Sequence, residues 1–534
     1  MSFFSVSNAA HHGNASPSIS LERGTHRMRA PITRPPPLLL ETLEEKKKPQ
    51  RKPIEYRANR NLALLVALLI IGCVTCFGTA WYLYTTRWDS RPTKPFRDLA
   101  DDWTYQVIDT HTLRTRKYLS YLPHSGFHNQ RIAFENALLL SYVLNRTLIV
   151  PSIRLGTKPI RYVEYNTLSR YLELSGKEGL EHCRRVPPHM SLPLECLQYF
   201  ESSNVPWSWI FNASRLAVHQ PLLHAPNLSP SWIRTRLQLS SADIYELKDV
   251  SPYHFRFLDT LDDTPPPSDR YKEEIYINHL ASVEARLLQI GTLFGTSRLR
   301  LRDKENIAYL ENVRRSLVIN NPTLEMVADR ISRRLSDSYL GLHLRTGDGK
   351  FKKNVDAIVK AAWLKVVRDV LGFRLTDICD LERYLDLETS TACLGEMVSG
   401  DDGPSPSDVF LSPTYTSSYT GSCTSARHSA QRYQALNIPL YIATDMDAPE
   451  DNPLLHILRK TFPCHFVLGD FKKEIAPLKN LESPLDGVNL YTFSLPFVDA
   501  VVLGKARNVV GTEGSTFSKY VQGVLWPSFG NFSV

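Results

Sequence analysis

Between Leu62 and Tyr84 the chain runs for more than 20 residues without a charged side chain, LALLVALLIIGCVTCFGTAWYLY. An α-helix rises 1.5 Å per residue, so a run of this length spans roughly the 30 Å of hydrocarbon in a bilayer. Trp81, Tyr82 and Tyr84 fall where an aromatic belt sits, KKKPQRKPIEYRANR precedes the run, and mixed charges follow it. Excess Lys and Arg on the N-terminal side keeps that side in the cytosol. The run starts too deep in the chain and is too long for a cleaved signal peptide. The expectation is a single-pass type II transmembrane helix over 61–84. It follows a disordered basic cytosolic tail (1–60) and precedes a stem (85–103), which places the folded part in the lumen of the Golgi or endoplasmic reticulum.

The charge balance supports that division. The 534 residues carry a net +8 and a pI near 8.9. Residues 1–60 hold 11 Lys/Arg and 5 Asp/Glu, so +6 of that charge lies in the tail. The remainder is close to neutral, and no basic face is left to argue for nucleic-acid binding. Six cysteines follow the apolar run: Cys183, Cys196, Cys379, Cys393, Cys423 and Cys464. An even number in an oxidising lumen implies up to three disulfides, with Cys183–Cys196 and Cys379–Cys393 as the local pairings. Their spacing matches no zinc motif. Sequons begin at Asn145, Asn212 and Asn531.

Two regions alternate between strand and helix patterns. In the first, RKYLSYLP reads as a strand and HSGFHNQ as a loop. RIAFENALLLSYVL then reads as a helix and TLIVP as a buried strand. ASVEARLLQIGTLF and LENVRRSLVI read as helices. In the second, strands are expected at 338–344, 440–445, HFVL and NVVG. Helices are expected at 354–371, 453–461, 497–506 and from 516. Repeated βα units joined by short loops imply a parallel sheet covered on both faces. Two such regions predict an α/β fold of two facing Rossmann-like domains, over 104–335 and 336–534. The second carries a Ser/Thr/Gly/Pro-rich flexible insertion at 376–435.

Ligands of such sheets bind beyond the carboxyl ends of the strands. Three strand-to-helix loops therefore stand out. HSGFHNQR places Asn129 and Gln130 at a helix start, which serves equally as a polar first turn. In YLGLHLRTGDG, alternation puts Gly341, His343 and Arg345 on one face. A guanidinium at a strand end can take two phosphate oxygens through its planar fork, or form an interdomain salt bridge. VVGTEGSTFSKY places Ser515 and Thr516 where a helix begins, as a phosphate site or an ordinary N-cap. Asp499 is read at the start of the preceding helix. The P-loop and calcium-loop spacings are both absent. Asp445 and Asp447 make a D-x-D after a strand, a pattern that can also hold a divalent metal.

The ordered set GFHNQR, HLRTGDG, ATD and DAVVLGKARNVVGTEGSTFS, spread over about 124–522, resembles the GDP-fucose protein O-fucosyltransferase superfamily. A type II anchor is similar to that family's Golgi members. The resemblance implies a GT-B fold and inverting transfer of fucose from GDP-fucose to a protein or glycan acceptor, with no cofactor and no metal. It implies catalytic roles for Arg345 and Asn129. It implies donor binding by His343, Arg345, Asp499, Ser515, Thr516 and Phe517. Two alternatives stay open: a metal-dependent transferase using Asp445 and Asp447, and a catalytically silent sugar-nucleotide or glycan-binding protein on the same fold. Glu135, one turn into the first motif's helix, is either a base or structural.

Overall fold

A computed structural model of the protein describes residues 56–88 and 115–530, apart from 188, 213–219, 227, 262–268, 337, 388–392 and 394–420. Most of the expected tail, most of the stem, the centre of the expected insertion and the Asn531 sequon lie outside the described residues. The chain forms two compact units, Met1–Arg91 and Pro92–Val534.

The described part of the first unit is one helix, Tyr56–Trp88, which takes in the end of the expected tail. It exposes Leu68, Val74 and Phe77 among other apolar side chains. Among the described residues no helix is long and apolar enough to cross a membrane, so the span expected over 61–84 is not shown.

The two largest sheets described in the second unit are parallel; a three-stranded parallel sheet and a two-stranded antiparallel pair accompany them. Five strands build the first: β1 (Tyr118–Tyr121), β2 (Thr147–Pro151), β3 (Leu222–Ala225), β4 (Ile244–Leu247) and β5 (Leu287–Ile290). Their spatial order is β3-β2-β1-β5-β4, and every pairing is parallel. Helix α1 (Phe127–Val143) connects β1 to β2. Nearly all of α1 from Gln130 to Ser141 is buried, because it packs on this sheet, on the helix Lys304–Ser316 and on the C-terminal half of the chain.

The helix expected over ASVEARLLQIGTLF is corrected here: its Leu287–Ile290 is strand β5, between β1 and β4. All four residues are buried, and Leu288 faces Leu119 in register. A short apolar run buried on both faces has no period that separates strand from helix; the pairing partners decide.

Four strands build the second sheet: β6 (Leu340–Leu344), β7 (Leu440–Thr444), β8 (His465–Val467) and β9 (Asn508–Gly511), in the order β8-β7-β6-β9, again all parallel. Helix α2 (Tyr491–Gly504) precedes β9 and starts six residues before its sequence pattern does. Helix α3 (Thr516–Tyr520) follows β9, and the helical path continues to Phe529. Leu342, Leu344 and Ile442 pack with Val359, Trp363 and Val367 on one face. On the other, one apolar cluster runs from Leu138 and Phe134 of α1 to Val498, Tyr520 and Leu525. The two sheets thus share a continuous core.

Part of the expected insertion packs in the other cluster, on the face of the second sheet that carries Leu342 and Val367. Leu375–Tyr384 is a helix, and its Ile378 and Leu381 are fully buried. The disulfide Cys379–Cys393 ties it to the segment that follows. Cys183–Cys196 and Cys423–Cys464 are the other two disulfides.

Candidate active site

The carboxyl ends of β6 and β9 meet side by side, with His343 opposite Gly511. Thr512 fastens them together. Its Oγ1 donates to the carbonyl of His343 at 2.9 Å and accepts from the backbone N–H of Arg345, also at 2.9 Å. Arg345 is the first residue beyond β6, so its guanidinium emerges where the strand stops.

Two carboxylates hold that guanidinium. Arg345 Nη1 lies 2.7 Å from Asp445 Oδ2, and Nη2 donates to Asp348 Oδ2 at 2.8 Å. Asp445 follows the end of β7, the neighbouring strand, and its Oδ1 accepts from the backbone N–H and hydroxyl of Thr346. Gly347 makes this approach possible: a Cβ there would sit 2.8 Å from Asp445 Oδ2. Asp348 is far more exposed than Asp445, with 65% against 26% of the side chain accessible, so it is the partner a ligand can displace.

His343 is buried, and its Nδ1 lies 2.7 Å from Ser518 Oγ. The ring stacks on Phe517, with centroids 4.3 Å apart and planes 20° from parallel. Burial pushes its pKa down to about 3, so the ring is neutral at physiological pH. Ser515 caps α3, accepting from the backbone N–H of Ser518. A Cβ at Gly511 would meet Ser518 Cβ at 2.6 Å, so only glycine lets α3 dock this closely on β9. Lys350, in the short helix Gly349–Lys353 after β6, reaches across: a Cβ at Gly514 would lie 3.1 Å from its Nζ. A second cation therefore stands over the loop between β9 and α3.

From the other sheet, α1 presents its first turn to this group. His128 packs edge-on against Phe517 and tilted against Tyr520, with centroids 5.2 and 5.3 Å away. Its Nδ1 is buried without a hydrogen-bond partner, and burial, followed by the charge of Arg131, holds its pKa well below the ordinary value. Asn129 is the next residue, half-buried at the same helix start. The structure thus gathers Arg345, His343, Ser515, Thr516 and Phe517 around the ends of β6 and β9, with the turn carrying Asn129 beside Phe517.

Asp499 stands differently. It lies well inside α2 rather than at its start, and its Oδ1 accepts from the Tyr441 hydroxyl at 2.6 Å. Burial pushes its pKa up to about 7. It joins Tyr441, not the Arg345 network.

Glu135 is structural. Its buried carboxylate is bonded by Arg131 and, at 3.1 Å, by Arg314 Nε. The D-x-D reading also changes: both oxygens of Asp445 are already engaged, one by Thr346 and the other by Arg345. Among the described residues, the one clustering of three side chains with metal-ligating atoms is His182, Cys183 and Cys196, and its cysteines form a disulfide.

No family model matches the chain. A 46-residue stretch is 59% identical to O-fucosyltransferase 30 of Arabidopsis thaliana. The chain resembles the O-fucosyltransferases. The match covers 9% of this chain and 9% of that relative's length. Among solved structures, POFUT1 in complex with GDP is similar at 13% identity and a TM-score of 0.32, over 76% of this chain and 93% of that one. POFUT1 in complex with GDP-fucose gives 12% identity, the same TM-score and the same coverage.

The motifs behind the O-fucosyltransferase resemblance now have places. GFHNQR is the entry to α1, HLRTGDG is the end of β6 with its exit turn, and ATD ends β7. The long C-terminal motif is the second half of α2, then β9 and the entry to α3. Sequence reasoning missed Lys350, Thr512 and Asp445 as Arg345's partner. Asp445 was in view only as half of a D-x-D. The others lie in polar turns whose pattern gives no hint of what faces them.

Proposed function

We propose that the protein transfers fucose from GDP-fucose to a protein or glycan acceptor, with inversion and without a metal. The observation that carries this reading is a pair of cations at the carboxyl ends of adjacent parallel strands: Arg345, whose backbone N–H is bonded to Thr512 just after β9, and Lys350, whose Nζ stands over Gly514. The short curated match to an O-fucosyltransferase supports the choice of donor.

In this reaction the bond from the sugar's anomeric carbon to the diphosphate breaks as the acceptor oxygen bonds to that carbon from the opposite face. The acceptor's hydroxyl proton is released to water and GDP leaves with the electron pair. Negative charge grows on the diphosphate, and fixed cations near it lower the barrier. Arg345 supplies a two-pronged contact once the diphosphate takes the place of the exposed Asp348, while Asp445 keeps the guanidinium oriented. Lys350 adds a point charge. His343 is neutral and contributes shape and a hydrogen bond rather than charge. Asn129 offers an amide that orients the acceptor hydroxyl but cannot take its proton.

Placement on a secretory-pathway membrane through residues 61–84 is part of the same reading. Its support is the uncharged apolar run together with three disulfides, which suit an oxidising lumen. Calorimetric titration with GDP, GDP-fucose and UDP tests the donor: a guanine preference is expected, and equal binding of UDP removes GDP-fucose from the reading.

A further inference from the structure

A cavity opens beyond the carboxyl ends of β1, β2 and β3, in the sheet that does not carry Arg345. Ser125, Ser152, Arg154, Ser175, Lys177 and Asn204 are among its polar lining, together with His124 and Glu178, and prolines and aliphatic side chains supply much of the remainder. Gln130, from the first turn of α1, also lines it, and Asn129 is the neighbouring residue. The cavity therefore adjoins the turn that faces the candidate active site.

Arg154 is fixed here and electrostatically unbalanced. The Gln130 side chain clamps its backbone, accepting from the N–H at 3.0 Å and donating to the carbonyl at 2.8 Å. Its Nη1 donates to the carbonyl of Ser175 at 3.3 Å, while its buried Nε has no hydrogen-bond partner. Among the described residues no carboxylate pairs with it. Asp486, the acid whose charge acts on it, is fully engaged by other groups. Its Oδ2 takes Lys177 Nζ at 2.7 Å and the Asn204 N–H at 3.0 Å; its Oδ1 takes Ser203 Oγ at 2.9 Å and the Val488 N–H at 3.2 Å. Lys177 and Asp486 cancel, and Arg154 is left over. Glu178 is exposed at the rim.

A half-buried guanidinium with no carboxylate partner among the described residues, in a cavity walled largely by hydroxyl and amide groups, calls for an anion. Ser125 Oγ lies 2.7 Å from His124 Nδ1 and Ser152 Oγ 3.2 Å from His224 Nε2, and a hydroxyl so bonded still has capacity for a further hydrogen bond. With Asn204 they are spread around the wall in a way that suits a ring bearing several hydroxyls better than an acidic amino-acid side chain. We propose that this cavity is the acceptor subsite and takes a sugar bearing a carboxylate, of the uronic acid type, with Arg154 holding the acid. The proposal rests on the transfer reading above for calling its occupant the acceptor.

The test titrates the full-length protein with a methyl glucuronide, a methyl glucoside, N-acetyl-aspartate amide and GDP. The glucuronide is expected to bind at least about 10-fold more tightly than the glucoside, the scale of one charge-assisted pair. Arg154→Gln should bring the two within about 2-fold and leave GDP affinity unchanged, which also shows that the variant is folded. Glu178→Gln, on the exposed rim, should tighten the glucuronide alone, by about 2- to 4-fold. Equal wild-type affinity for the two glycosides, aspartate binding as tight as the glucuronide, or a preference that survives Arg154→Gln overturns the proposal. Absence of the carboxylate preference in the wild type with GDP binding intact strikes only this cavity. Absence of GDP binding with the preference intact strikes only the donor reading.

Discussion

Arg345 Nη1 lies 2.7 Å from Asp445 Oδ2, joining the loops that leave two adjacent parallel strands. The pair aims a planar cation at the place where a ligand of this sheet would sit, and it engages one oxygen of Asp445.

Arg345→Ala should lower turnover by about 100-fold or more, the scale for loss of a donor that meets growing negative charge. GDP binding should weaken, and thermal stability should stay within a few degrees of wild type. Arg345→Lys should recover only a small part, because an ammonium cannot bridge two oxygens in the guanidinium's geometry. Steady-state kinetics and calorimetry check both variants; wild-type turnover in the alanine variant would exclude Arg345 from the site.

Chelation should leave turnover unchanged, and manganese should not restore Asp445→Asn. That variant should be slower by about 10-fold, through a misdirected Arg345. Loss of activity in EDTA that manganese reverses would return Asp445 and Asp447 to a metal role.

Thr512→Val keeps the side chain's shape and removes the hydroxyl that links His343 to Arg345. Leaving a buried carbonyl and N–H unpaired costs about 1–3 kcal/mol. Denaturant melts should show that loss, with turnover falling further than stability because Arg345 is no longer registered against β9. Equal effects on both would make Thr512 a purely structural residue.

Glu135→Gln should cost about 3–5 kcal/mol, since it strands the buried Arg131. Turnover per folded molecule should remain near wild type. A large fall in turnover for the folded fraction would restore Glu135 as a candidate base.

Acid should destabilise the protein from pH 6.5 downward. Burial lowers the pKa of His343 to about 3, and of His124 and His224 to about 4 each. The unfolded chain therefore takes up protons that the folded chain refuses, and stability falls as pH drops below the unfolded value near 6.5. Asp499 acts in the opposite sense: its folded pKa of about 7 makes the folded state the better proton acceptor between pH 4 and 7. Three histidines outweigh one aspartate, so the melting temperature should be lower at pH 5 than at pH 7.5. Asp499→Asn should steepen that loss. A flat profile would mean that the histidines are accessible to protons in the folded state.

Pattern along the chain was enough to find most local elements and a cation at a strand end. Buried runs such as LGLHL and LYIAT read as strands because apolar side chains had to be hidden on both faces. The disulfides Cys183–Cys196 and Cys379–Cys393 were legible from proximity along the chain. His343 and Arg345 were legible at a strand end because side chains alternate. Tertiary structure decided everything that depends on pairing across distance. Leu287–Ile290 became a strand because β1 and β4 flank it. Asp445 became an arginine partner because β6 and β7 are neighbours in register. Arg154 became a candidate ligand contact because Asp486, far along the chain, satisfied Lys177 and left it unpaired. Pattern along a chain records which residues avoid water. Which of them then meet is fixed by strand order and packing, which bring together positions that carry no shared signal in the sequence.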